Sequence, residues 1–67
     1  MSETRTMKGY HVEVERSPAA LVVTAFDPIH HISISIEGAW NAASEQLTMT
    51  AVAHLDFMRS RIAAAGA

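Results

Sequence analysis

The segment WNAASEQLTMTAVAHLDFMRSRIAA, residues 40–64, is the part of this chain that the rest of the fold has to accommodate. At about 100° per residue, its apolar side chains form a helical pattern that has two stripes rather than one. The broader stripe contains Trp40, Leu47, Ala51, Leu55, Met58 and Ile62. A narrower stripe of Met49, Ala53 and Phe57 lies on the opposite side. Because a sheet covers only one side of a helix, the second stripe predicts a contact with a partner.

Three strands are predicted before this helix. In residues 10–15 apolar and polar side chains alternate, which is the pattern of a half-buried strand. Residues 20–26 are apolar on both faces, as is typical of a central strand, and residues 31–37 alternate isoleucine with polar residues. The turns at 16–18 and 27–28 are short, so that successive strands are expected to pair as an antiparallel meander.

The sequence therefore predicts an α+β fold, in which a three-stranded antiparallel β-meander is followed by one long C-terminal α-helix packed on one sheet face, a βββα unit. Residues 1–9 are polar and aperiodic, and we expect them to form a flexible N-terminal tail. Residues 10–64 form a single domain, and residues 65–67 are expected to be a frayed C-terminus. For residues 46–52 the sequence is compatible with either helix or a fourth strand, because the apolar and polar residues of Leu-Thr-Met-Thr-Ala also alternate.

The composition limits the ways in which so small a chain is stabilised. A chain of 67 residues is short, and a fold of this size buries only about 60% of its unfolded surface. Small folds compensate with disulfides, a metal or oligomerisation. Cysteine is absent, which excludes disulfides and thiolate metal sites. The hydrophobic fraction of 49% favours self-association instead.

Charge and hydropathy exclude several classes of protein. The net charge is −2 and the five Lys and Arg residues are scattered, so that a nucleic-acid partner is not expected. The longest apolar run, residues 19–23, is far shorter than the roughly 20 residues that a membrane span needs. The first residues lack the apolar core of a secretory signal, and we expect a cytoplasmic protein with no membrane contact.

Four histidines raise the question of a metal or catalytic site. His11 and His31 are expected at the same end of the sheet, with His30 adjacent, but two strand spacings separate them by about 9.5 Å, which is wide for ligands of one ion. Ser33 and Ser35 are predicted on the same face as His31, with no pocket that would exclude water. We therefore expect no metal, no cofactor and no catalysis, and keep His11, His30 and His31 as an alternative set.

Two surfaces are left as candidate contacts. Met49, Ala53 and Phe57 are expected to pair with the same stripe of a second copy in a two-fold homodimer. Val22 and Phe26 are expected on the sheet face away from the helix. The predicted function is a small non-catalytic protein–protein interaction module, which regulates, adapts or inhibits a larger, unidentified protein. The alternatives are a His-based metal-binding or catalytic protein and a nucleic-acid-associated regulator.

Overall fold

The computed structural model describes residues 2–66. In chain order the elements are β1 (Ser2–Met7), β2 (Tyr10–Arg16), β3 (Leu21–Asp27), β4 (Ile32–Gly38) and α1 (Ser44–Ala65). The four strands form one antiparallel sheet in the order β1-β2-β3-β4, and α1 packs on one face of it, mainly over β3 and β4. The α+β class, the meander and the C-terminal helix are confirmed. The prediction of three strands is wrong, because the sheet has four.

The additional strand, β1, lies in residues 1–9, which the sequence predicts to be a flexible tail. Its residues pair with β2 over their whole length, ending with Met7 opposite Tyr10. The hairpin loop contains only Lys8 and Gly9, which have φ of 53° and 83°. Positive φ at both central residues is typical of the type I′ turn, whose twist matches that of the two strands it joins. Local turn geometry therefore orders this segment, although it has no apolar period.

The core lies between α1 and the sheet. Alternate residues of β2 and β3 point towards the helix and are buried with three helical residues: Tyr10, Val12, Val14, Leu21, Val23, Ala25, Ala51, Val52 and Leu55. Each large aliphatic side chain that is fully buried contributes about 1.5–3 kcal/mol relative to exposure. The isoleucines of β4, at 32, 34 and 36, also pack on this core but are only half-buried, because β4 is an edge strand.

The helix covers residues 46–52, so the ambiguity there is settled in favour of helix. It begins later than the predicted apolar stripe. Trp40 lies in the preceding loop and is 58% exposed. In this loop the main-chain carbonyls of Trp40 and Ala42 accept hydrogen bonds from the Arg16 guanidinium. Ile62 is 42% exposed. The prediction that Trp40 and Ile62 belong to the buried stripe is therefore wrong.

The helix is longer than the strands that it covers. Its 22 residues extend about 33 Å, at roughly 1.5 Å per residue. A strand of the length of β4 extends about 23 Å. Residues 60–66 are all exposed, so the last turns project beyond the sheet. Ala65 is still helical and the Gly66 N–H donates to the Ile62 carbonyl at 2.9 Å, which places the helix end within the predicted frayed segment. Residue 67 lies outside the described residues.

Candidate interaction surfaces

An apolar stripe of Met49, Ala53 and Phe57 lies on the side of α1 that faces away from the sheet, and we call it the outer stripe. All three residues are exposed, Met49 by 67% and Phe57 by 60%. The Arg61 guanidinium lies 5.8 Å from the centroid of the Phe57 ring and covers part of it. The orientation expected from the sequence is thus present, and the pairing of this stripe with a second copy stays a prediction.

The sheet face away from α1, which we call the open face, carries a smaller apolar patch. Val22 is half-buried there and Phe26 is 36% exposed. The ring centroids of His11 and His31 each lie 6.5 Å from that of Phe26. His11 is the residue of β2 that pairs with Phe26, and His31 lies in the turn before β4 with a left-handed φ of 55°. The result is a patch of three exposed rings at one end of the sheet.

The histidines considered as metal ligands are not assembled into a ligand set. His11 and His31 flank β3 on its two sides, with Phe26 between them. The Nδ1 atom of His30 lies 2.9 Å from Asp27 Oδ2, within a different group. Among residues 2–66, no three or more His, Asp or Glu side chains are placed together to hold a metal ion. His30 is therefore separated from His11 and His31, which share the patch around Phe26.

A polar cluster that sequence analysis missed joins two turns to the helix. The hydroxyl of Tyr10, which is fully buried, donates to Asp56 Oδ1 at 2.5 Å. Arg59 donates to the same hydroxyl at 3.2 Å, and its Nε lies 3.6 Å from Asp27 Oδ2. Lys8, in the β1–β2 turn, places its Nζ 3.4 Å from Asp56 Oδ2. The cluster therefore connects both turns at this end of the sheet to the middle of α1.

Hydrogen bonds set the charge states within this cluster. Burial raises the pKa of Asp27, but hydrogen bonds with the His30 ring and with the N–H groups of Ile29 and His30 outweigh it and lower the pKa overall. The hydrogen bond from Tyr10 lowers the pKa of Asp56 despite its burial. Burial, and next the bond to Asp56, raise the pKa of Tyr10, so its hydroxyl remains protonated and donates. A buried phenol between charged partners stabilises the fold and is closed to a substrate.

Comparisons of the chain with protein-family models, curated proteins and solved structures found no match. Within the described part of the chain, no helix has the length and apolar character required to cross a bilayer. A function therefore has to be inferred from the exposed surfaces, among which the outer stripe exposes Met49 by 67% and Phe57 by 60%.

Proposed function

We propose that this protein is a small non-catalytic interaction module, which forms a homodimer through the outer stripe and docks on a larger protein in the cytoplasm. The observation that carries the proposal is the exposure of Met49 and Phe57 on one helix face, 67% and 60% respectively. Single exposed apolar residues are common on monomeric proteins, whereas contiguous apolar patches are typical of contact sites. Val22 and Phe26 offer a second, less exposed candidate contact on the open face.

The energy of such a contact is large relative to the stability of a domain of this size. Full burial of a side chain such as Met or Phe contributes about 1.5–3 kcal/mol. Met49 and Phe57 are already partly covered, so each would gain about 1–2 kcal/mol against a partner. A domain of this length has a free energy of unfolding of roughly 3–10 kcal/mol. Dimerisation through this stripe would therefore add a substantial fraction of the total stability.

The outer side of α1 is self-complementary, which favours a second copy as the occupant. Its residues recur at alternating intervals of four and three, the spacing of a helix-pairing seam. These residues are Gln46, Thr50, Ala53, Phe57, Ser60 and Ala64, and Met49 lies beside this seam, one turn before Ala53. In an antiparallel pair with its two-fold axis midway between Ala53 and Phe57, Phe57 faces Ala53 of the partner subunit. No seam residue is charged, so like charges do not meet, and the alanines allow the close approach that helix packing needs.

The test is the oligomeric state of a Phe57→Asp variant, measured by sedimentation or light scattering over a range of concentrations. We expect wild type to be a dimer and the variant to be a monomer, because the contact would have to take a carboxylate out of water in place of an apolar ring. Ile29→Asp is a matched control, since Ile29 is 73% exposed in the β3–β4 turn, away from the seam. This control should remain a dimer. A monomeric wild type, or a dimeric Phe57→Asp variant, refutes the proposal.

A further inference from the structure

We propose that β4 is a strand-addition edge, which binds an extended segment of another protein in which β-branched apolar residues alternate with lysine or arginine. In this mode of recognition, main-chain hydrogen bonds provide affinity and alternate side chains provide specificity. The inference rests on the proposed docking to a larger protein, and it names the docking site and the chemistry of the partner. It is independent of the homodimer, because the outer stripe faces away from the sheet.

The two edges of the sheet differ in how they are protected. On β1, Glu3 and Arg5 pair with positions of β2 that face the helix, and they form an ion pair of 3.0 Å on that side. Charges that point inwards in this way prevent a further strand from pairing with an edge. In β4 the only charged residue is Glu37, on the open face, and seven consecutive pairs with β3 show no bulge. The β4 edge therefore has none of the protection that β1 has.

The helix side of β4 predicts apolar side chains in the added strand. The three isoleucines of β4 remain half-buried although they pack on the core. Leu47 is half-buried above the end of the strand, where its Cδ1 lies 2.9 Å from the ideal Cβ position of Gly38. Met58, also half-buried, is on the same side of α1 three turns later. An added strand would lie about 4.8 Å from β4. Its alternate side chains would lie beside the isoleucines and under Leu47 and Met58 of α1.

The open face predicts positive charge at the other positions of the added strand. Glu13, Glu15 and Glu37 lie on this face, and none of its positions in the four described strands is Lys or Arg. A basic residue of the added strand beside Glu37 would pair with that carboxylate across the β4 edge, whereas Glu13 and Glu15, on β2 two strands further in, add only longer-range attraction. A second copy of β4 would contribute Ser33, Ser35 and a further Glu37, which adds negative charge instead of neutralising it. Charge complementarity thus favours a basic segment over a second copy.

The experiment is a titration of the full chain with a synthetic peptide as long as β4, in which isoleucine alternates with lysine, followed by NMR and amide hydrogen exchange. We expect the amides of β4 to shift and gain protection, and those of β1 to stay unchanged. A control peptide that alternates isoleucine with glutamate should bind at least about tenfold more weakly, because charge pairs determine specificity. Glu37→Lys, an exposed change, should weaken binding of the lysine peptide and strengthen binding of the glutamate peptide.

Two controls separate this inference from the other proposals. The Phe57→Asp variant should bind the lysine peptide as wild type does, even when it no longer dimerises. In a Ser35→Cys variant, antiparallel pairing of β4 with β4 of a second copy, centred on residue 35 in the middle of the strand, would bring the two introduced thiols together, and the chain has no other cysteine. Disulfide-linked dimers of this variant would show a second copy at the edge and overturn the inference. Unchanged β4 amides at saturating lysine peptide, or equal affinity for both peptides, would also overturn it.

Discussion

Replacement of Thr48 by valine should stabilise this protein. Thr48 is fully buried, and its Oγ1 has no hydrogen-bond partner among residues 2–66. It lies on the buried side of α1 together with Ala51, Val52 and Leu55. A buried hydroxyl without a partner costs about 1–3 kcal/mol in lost hydration. Valine has nearly the same shape and a similar helix propensity, so the change removes this cost without opening a cavity.

We expect Thr48→Val to raise the free energy of unfolding by about 1–2 kcal/mol, the lower part of the range for a buried hydroxyl without a partner. For a domain of this size it corresponds to a rise in Tm of about 4–8 °C per kcal/mol. Thermal and urea unfolding of the pure protein measure both quantities. Thr48→Ala should gain less, because it also leaves a methyl-sized void, and Thr48→Ser should be less stable than wild type. If valine is no more stable than threonine, the hydroxyl is satisfied in solution and the reasoning is refuted.

Two further predictions concern the polar cluster and the start of the helix. The pKa values of Asp27 and Asp56 are lowered in the folded state, so the unfolded chain binds protons at these two carboxylates more readily. The stabilisation that the two carboxylates provide is therefore complete above about pH 4 and is lost as the pH falls through their folded-state pKa values. The urea midpoint should therefore drop below about pH 4, and a constant midpoint down to pH values well below this would contradict the assignment. Gly38→Ala should cost about 1 kcal/mol, because its Cβ would lie 2.9 Å from Leu47 Cδ1 and the leucine must move. Gly66→Ala, at the exposed helix end, is the control and should change Tm little.

The parts of the fold that bury one face could be predicted from the sequence. The alternation of apolar and polar side chains in residues 10–15 and 31–37 indicates which side chains face the core, and both segments form strands. The opposed stripes on α1 likewise predicted that Met49 and Phe57 would be exposed while Leu55 is buried. Such periods arise wherever an element has a buried side and a solvated side.

The missed features have no such period. β1, with the sequence SETRTM, is an edge strand whose residues are all exposed or half-buried, so it gives no apolar pattern. Gly9, in the two-residue turn before β2, is a local signal of this hairpin. The polar cluster joins Tyr10 to Asp56 and Arg59 across 46 and 49 residues of sequence, and hydrogen bonds between distant polar residues leave no trace in hydropathy. Trp40 continues the helical period of the sequence, although the helix begins only at Ser44.

The Glu3–Arg5 pair has a consequence for how far copies of this protein can join. A sheet that is blocked along one border can lengthen only from the other, so growth stops after a single step. Fibrils need two growing borders for each subunit, and this chain presents one. Strand pairing between copies of this chain would therefore end at a pair, and a longer assembly would need the outer stripe as a second contact.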